Sequence, residues 1–209
     1  MLAGYVSDAV IRRLPGYYRH LAELETAGVV QISSLELGKR MQLTPSQIRQ
    51  DINCFGGFGR QGYGYDIVEL KGHISDILGL NKKHRMIIIG AGNIGTAIVN
   101  FPSFFTEGFE TIAVFDNDVN KIGKRIGGIL IQPSDEIAGF IESNHVDIAV
   151  LAIHADGAQH TIDLLSQLQI KAIWNFTSTD LSAPHDMIIV NVHLSDSLQI
   201  LSYKLNHQE

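Results

Sequence analysis

Two kinds of apolar pattern divide this chain. In the first third, apolar residues recur three and four positions apart, whereas later they gather into short unbroken runs. Leu14, Tyr17, Tyr18, Leu21 and Leu24 keep helical spacing and predict an amphipathic helix over residues 8–26, stopped by Gly28. The stretch SSLELGKRMQL predicts a short second helix with Ser34 as its N-cap, ending near Met41. In LTPSQIRQDINCF, Thr44 is the expected N-cap and Pro45 the first helical position of a third helix. Ile48, Ile52 and Phe55 form its inward stripe, leaving Ser46, Gln47, Arg49, Gln50 and Asn53 outward. FGGFGRQGYGYDIVEL then predicts a glycine-punctuated hairpin with Arg60 and Gln61 near its tip.

The apolar runs begin at Met86. MIII, TIAVFDND, DIAVLAIH, KAIWNF and MIIVNV predict strands, with helices such as GAQHTIDLLSQL between the earlier ones. Strand alternating with helix over residues 86–192 implies a parallel, doubly wound sheet. Ligands of such sheets bind beyond the C-terminal strand ends, here near Gly90, Asp116, His154 and Asn175.

Charge sharpens the division. Through Arg85 there are eleven Lys/Arg against eight Asp/Glu, and from Met86 onward five against fourteen, so a front of +3 joins a body of −9. A basic front is suited to a polyanion. Two short helices joined by a tight turn, the second offering Arg and Gln, form a helix-turn-helix pattern. Arg and Gln can bond guanine and adenine edges bidentately. The basic-tipped hairpin completes a winged helix, and Arg12, Arg13, Arg19, Arg49 and Arg60 lie on the elements expected to face a duplex. Double-stranded DNA is therefore the expected partner. No run approaches the roughly 18 apolar residues of a membrane span. The single Cys54 cannot form an internal disulfide, which points to a cytoplasmic chain, and beside Phe55 it reads as a small buried hydrophobe.

Gly90, Gly92 and Gly95 form G-x-G-x-x-G directly after the Met86 strand and ahead of a helix containing Asn93 and Ile94. Asp116 ends the next strand 21 residues beyond Gly95, where a carboxylate accepts hydrogen bonds from an adenosine ribose and repels a 2′-phosphate. The expected cofactor is thus NAD rather than NADP. Glycines at the turn let backbone N–H groups reach a pyrophosphate. Lys121, Lys124 and Arg125 form a solvated basic face near the adenine, with Lys121 nearest the expected cofactor.

Bound NAD invites an enzyme reading, but a dehydrogenase also needs a substrate domain and a general acid or base. His154 and His193 are the best-placed candidates, and each reads more readily as a structural strand-end group. No paired carboxylates or nucleophile constellation is present, His154 with His160 is poor metal spacing, and no catalytic or metal site is assigned. The alternative is an NAD-dependent oxidoreductase or other dinucleotide-binding enzyme, or a corrin-like ligand carrier, whose front domain makes protein contacts. A dinucleotide bound without being consumed is better understood as a signal.

The chain resembles the redox-sensing transcriptional repressors called Rex. The resemblance runs through RRLPGYYRHL, SSLELGKRMQLTPSQIRQD, FGGFGRQGYGYDI, ILGLNK, IIIGAGNIG, VFDND and WNF. It implies an α/β protein with an N-terminal winged helix-turn-helix domain (residues 1–80), a Rossmann NAD(H)-binding domain (81–193) and a C-terminal helix (194–209) swapped into a partner subunit. The tail SDSLQILSYKL fits that helix, with Leu198, Leu201 and Leu205 on one side. The resemblance further implies a homodimer that binds inverted-repeat operator DNA and releases it with NADH. Arg49 and Gln50 match the family's base-reading positions, with Arg13 and Gln61 near the backbone or groove. Gln50 stands where the family commonly has a basic residue.

Departures from the family pattern gather on the nicotinamide side. Phe101 replaces a Tyr, His154 replaces the Pro of a Thr-Val-Pro strand end, and Thr177-Ser178 replace an Ala-Pro pair. His193 takes the place of an Asp that pairs with the partner's Tyr and with an Arg matching Arg19. An imidazole there weakens the attraction to Arg19 and changes how the site treats the cationic ring of NAD+. Altered or reduced NADH/NAD+ discrimination is the expectation.

Overall fold

The structure is a computed structural model that describes residues 6–56, 64–102, 104, 107–184 and 186–207. The chain forms two compact units, residues 1–82 and 83–209.

In the first unit, helix α1 (Asp8–Thr26) buries Leu14, Tyr17, Leu21 and Leu24, the stripe its spacing predicts. Strand β1 (Gln31–Ile32) precedes α2 (Ser34–Met41). The α2 cap is Ser33 rather than the expected Ser34, because Glu36 three residues on completes a capping box with Ser33. Thr44 caps α3 (Pro45–Asn53) through Gln47 N–H at 3.1 Å, with Pro45 opening the helix as expected. Gly38 allows the tight α2–α3 approach, since a Cβ there would lie 2.6 Å from the Leu43 carbonyl oxygen.

Where the sequence pattern implied the return side of a hairpin, the described strand is limited to two residues. Strand β2 (Tyr65–Asp66) pairs antiparallel with β1, and Asp66 then caps α4 (Ile67–Leu78), so Ile67 to Leu70 are helical. A carboxylate that bonds the Glu69 N–H ends the strand where DIVEL alone looks extended. The expected hairpin tip, with Arg60 and Gln61, lies outside the described residues. Tyr17, Leu21, Leu37, Ile48, Ile67 and Leu70 close the core, and a Lys71–Glu25 ion pair ties α4 to α1. Burying each such side chain contributes about 1.5–3 kcal/mol.

The second unit is a seven-stranded sheet. Its strands are β3 (His84–Ile89), β4 (Phe109–Asp116), β5 (Arg125–Ile126), β6 (Ile129–Pro133), β7 (Ile148–Leu151), β8 (Ala172–Asn175) and β9 (Ile188–Asn191). Their order is β5-β6-β4-β3-β7-β8-β9, parallel except for the short edge strand β5. Along β3, Ile87 and Ile89 face one core while Met86 and Ile88 face the other, so an unbroken apolar run serves two covered faces. Helices α5 (Asn93–Val99), α6 (Ile137–Ser143) and α7 (Ala155–Gln167) intervene between strands. The last helix, α8 (Leu194–Asn206), buries none of its residues. Among the described residues, no helix is long and apolar enough to cross a membrane.

Candidate functional sites

The strand order places a topological switch between β3 and β7, because the chain proceeds outward from β3 through β4 and β6 and then returns to the other side for β7. Ligands of open α/β sheets bind at such a point. Three backbone hydrogen bonds bring the neighbouring strand ends together: Gly90 N–H to Phe115 O (2.8 Å), Ala152 N–H to Ile89 O (2.8 Å) and Phe176 N–H to Leu151 O (2.9 Å). Gly90, Asp116, Ala152 and Asn175 therefore stand side by side at the C-terminal strand ends.

The glycines there fit a dinucleotide. Gly90 has φ +106°, and a Cβ on it would lie 2.4 Å from the Ala152 carbonyl oxygen. A Cβ on Gly95 would lie 1.9 Å from the Gly90 oxygen, so α5 can pack on the turn only through glycine. Gly92 differs, because a Cβ there meets nothing within 4 Å. Its open side faces no protein atom, as a backbone approached by a pyrophosphate requires. Asn93 and Ile94 begin α5, where first-turn N–H groups lack intrahelical acceptors.

Asp116 is 6% exposed. Its Oδ2 accepts the Ala91 N–H at 2.7 Å and Lys121 Nζ at 3.0 Å, and its Oδ1 accepts the Asp118 N–H at 2.8 Å. Burial opposes ionisation, but the bonds from Asp118, Lys121 and Ala91 prevail and hold the carboxyl below its ordinary value. Asp116 thus stays anionic beside the turn, and Lys121 is drawn onto it rather than standing free in a basic face. These residues would hold the adenosine and pyrophosphate of NAD(H).

On the other side of the switch, Asn175 is fully buried and takes part in several hydrogen bonds. It donates to Thr179 O and Asn191 Oδ1 and accepts the Thr177 N–H. The strand expected to reach His154 ends at Leu151, and His154 is the exposed N-cap of α7. Phe101 follows α5 and is 52% exposed. Its ring lies 4.7 Å from Phe104, which meets Trp174 of β8 at 5.5 Å, so an aromatic row joins Phe101 to the β8 end. His193 precedes α8, with Nε2 3.5 Å from Asp180 Oδ1, and Arg19 is exposed on α1. Among the described residues, no group of three or more His, Cys, Asp and Glu could hold a metal ion.

In the first unit, Ser46, Arg49 and Gln50 are exposed on α3, and Arg49 Nη1 donates to Ser34 Oγ at 3.0 Å. Gln47, expected outward, is turned back and donates through Nε2 to Asp51 Oδ1 at 2.8 Å. Arg13 grips the same carboxylate through Nε (2.7 Å) and Nη2 (2.8 Å). Burial works against the Asp51 charge, but bonds from Arg13, Gln47 and Tyr17 outweigh it and hold the carboxyl below its usual value. The sequence reading missed Asp51, although its place one residue before Ile52 and three after Ile48 puts it on the buried stripe. Cys54 is exposed rather than buried, since it follows the last turn of α3 with Sγ 3.3 Å from Gln50 O.

The two units correspond to two families. Residues 81–179 match the family described as a CoA binding domain, and residues 5–53 match one described as a putative DNA-binding protein N-terminus. Over 204 residues the chain is 51% identical to the redox-sensing transcriptional repressor Rex of Caldanaerobacter subterraneus subsp. tengcongensis, spanning 98% of this chain and 91% of that protein. The chain belongs to the Rex family. Identity to the Rex protein of Clostridium botulinum is 48% over 204 residues, 98% of this chain and 97% of the relative. Among solved structures, the Rex-family repressor RSP in complex with NAD+ and operator DNA matches with a TM-score of 0.91 and 50% identity, covering 97% of this chain and 94% of that one. The RSP complex with NADH matches with a TM-score of 0.91 and 48% identity, covering 97% and 95%. The Rex architecture of a DNA-binding front and a Rossmann-like rear is thus the architecture of this chain.

Proposed function

We propose that this chain reads the NADH/NAD+ balance in the Gly90–Asp116 crevice and transmits it to operator DNA as a homodimer. The observation that carries this reading is the near full-length relationship to Rex repressors, one of them solved with both NAD+ and operator DNA. The chain is a transcriptional regulator rather than an enzyme, and its working place in this reading is the cytoplasm. NAD(H) supplies no chemistry here. Its occupancy of the crevice is the signal.

In this reading Gly90, Gly92, Asn93, Ile94 and Gly95 hold the pyrophosphate, and Asp116 and Lys121 the adenosine. Phe101, His154 and Asn175 border the nicotinamide. Arg49 and Gln50 read base edges, while Arg13, Ser46, Gln47, Arg60 and Gln61 fix the head on the backbone and groove. A palindromic operator requires two reading heads about one helical turn apart, roughly 34–36 Å. A nucleotide that favours one dimer arrangement changes that separation in proportion to its differential affinity, and a swing from 1:99 to 99:1 needs about 5.5 kcal/mol.

The exposed apolar residues of α8 support dimerisation. Leu194, Leu198, Ile200, Leu201, Tyr203 and Leu205 are each more than half exposed, as are Ile188 and Val190 on the edge strand β9. Apolar surface on that scale marks an interface. We assign α8 to a partner subunit as a swapped helix.

The deciding experiment is operator binding by the full chain across a salt series, with NAD+ and NADH added separately. Binding that weakens steeply with salt and responds to NADH supports the reading. Salt-insensitive or absent DNA binding, with turnover of a reduced cofactor, would favour an oxidoreductase instead.

A further inference from the structure

Asp51 is 1% exposed, and its carboxylate lies between the two helices that carry the DNA-facing side chains. An ionised carboxylate offers about four lone-pair positions. All are used by protein groups: Oδ1 accepts Arg13 Nη2 (2.8 Å) and Gln47 Nε2 (2.8 Å), and Oδ2 accepts Arg13 Nε (2.7 Å) and Tyr17 Oη (3.0 Å). Asp51 has nothing left to offer water or DNA. Stability alone does not explain a carboxylate here, because a buried ion pair is often replaceable by apolar residues at no loss.

What distinguishes the cluster is what its members keep. Arg13 engages Asp51 with one edge of its guanidinium, leaving the Nη1 hydrogens and one on Nη2, and its side chain is 27% exposed. Gln47 likewise keeps its carbonyl oxygen and one N–H. One donor group thus comes from α1 and one from α3, both held by a single anchor.

We propose that Asp51 is a positioning residue of the reading head, locking Arg13 and Gln47 into one pre-set array that meets the operator. The rotamer freedom these long side chains would lose on binding is already lost on folding. This inference rests on the reading above in which Arg13 and Gln47 touch the operator.

Asp51→Asn tests it by the sign of its effect. The substitution keeps the shape, removes one negative charge, and presents Arg13, together with either Gln47 or Tyr17, with a donor in place of an acceptor. Charge alone would tighten binding to every DNA. Arg13 and Gln47 set the register in which Arg49 and Gln50 meet the bases, so lost positioning instead lowers the preference for operator over scrambled duplex by about tenfold or more, with scrambled binding no weaker than in the parent. Tyr17→Phe removes one Asp51 bond but leaves Arg13 and Gln47 held, so its melting temperature falls while operator preference stays.

Unchanged operator preference in folded Asp51→Asn, alongside weakened binding by Arg13→Ala and Gln47→Ala, overturns the positioning role and leaves the contact reading standing. Normal operator binding by both alanine variants overturns the contact reading and the proposal with it. Should Asp51→Asn not fold, the parent protein still decides, through the Arg13 Nε–H resonance. Slow exchange with water, both free and on the operator, supports the lock. Release of that proton to solvent on either form overturns it.

Discussion

The backbone N–H of Ala91 donates to Asp116 Oδ2 across 2.7 Å, which makes the glycine turn and the end of β4 a single hydrogen-bonded unit. The carboxylate expected to select the ribose also braces the loop expected to hold the pyrophosphate. In the proposed reading, one side chain thus couples adenosine and phosphate recognition.

Replacing that side chain should therefore affect more than ribose selection. Asp116→Asn should weaken NADH by about tenfold or more, the worth of a hydrogen bond to a charged group. It should weaken NADPH less, since it removes the repulsion of a 2′-phosphate and loosens Lys121 from its partner. Titration calorimetry with both nucleotides measures the ratio. An unchanged NADH/NADPH preference would show that Asp116 does not read the ribose.

Gly92 and Gly95 should respond in opposite ways. Gly92 has φ −82° and ψ −166°, which any residue tolerates, and open space where its Cβ would stand. Gly92→Val should fold, bind operator and ignore nucleotide. Gly95→Ala forces a Cβ to within 1.9 Å of the Gly90 oxygen and should lower the melting temperature. Arg49→Ala should complement Gly92→Val, losing operator and keeping nucleotide. A discriminating base contact is worth about 1–3 kcal/mol.

The histidine at position 193 is expected to bear on redox discrimination. Paired calorimetric titrations of the parent should give a smaller NADH over NAD+ preference than in His193→Asp, which restores the carboxylate the family pattern carries. A large preference in the parent, unmoved by the substitution, would show that the departures at Phe101, His154, Ser178 and His193 are silent.

Acid should loosen the first unit through Asp51. Its carboxyl titrates lower folded than unfolded, so its contribution is fully present above the unfolded value, about 3.9. That contribution fades as pH falls through the lower folded value. Thermal melts should lose stability progressively below about pH 4. Asp51→Asn should show a shallower acid slope, and a parallel slope would mean other carboxyls govern acid unfolding.

Helix α8 should govern assembly. Leu198→Asp with Leu201→Asp puts charge on two apolar side chains that are each more than half exposed. Sedimentation should show a monomer that still binds nucleotide but grips the palindromic operator weakly. An intact dimer would place the interface elsewhere.

The local elements were legible because their signals are local. Spacing at Leu14, Tyr17, Leu21 and Leu24 set α1, Thr44-Pro45 set the start of α3, and unbroken apolar runs set the strands of a sheet covered on both faces. Boundaries that turned on a competing side-chain bond were less legible. Ser33 displaced Ser34 as a cap, and Asp66 ended a strand early, because each found an N–H three residues ahead.

The sequence by itself determined that a basic front module precedes a glycine-turn crevice ending in a carboxylate, since residue type and short spacing suffice for both. Only the tertiary structure decided what those polar groups hold. Arg13 and Gln47 read as outward surface until Asp51, thirty-eight residues from Arg13, gathers them. Asp116 read as a ribose ligand until it reached back twenty-five residues to Ala91. A long polar side chain has many rotamers and no period, so its partner is chosen by which helices and strands pack together.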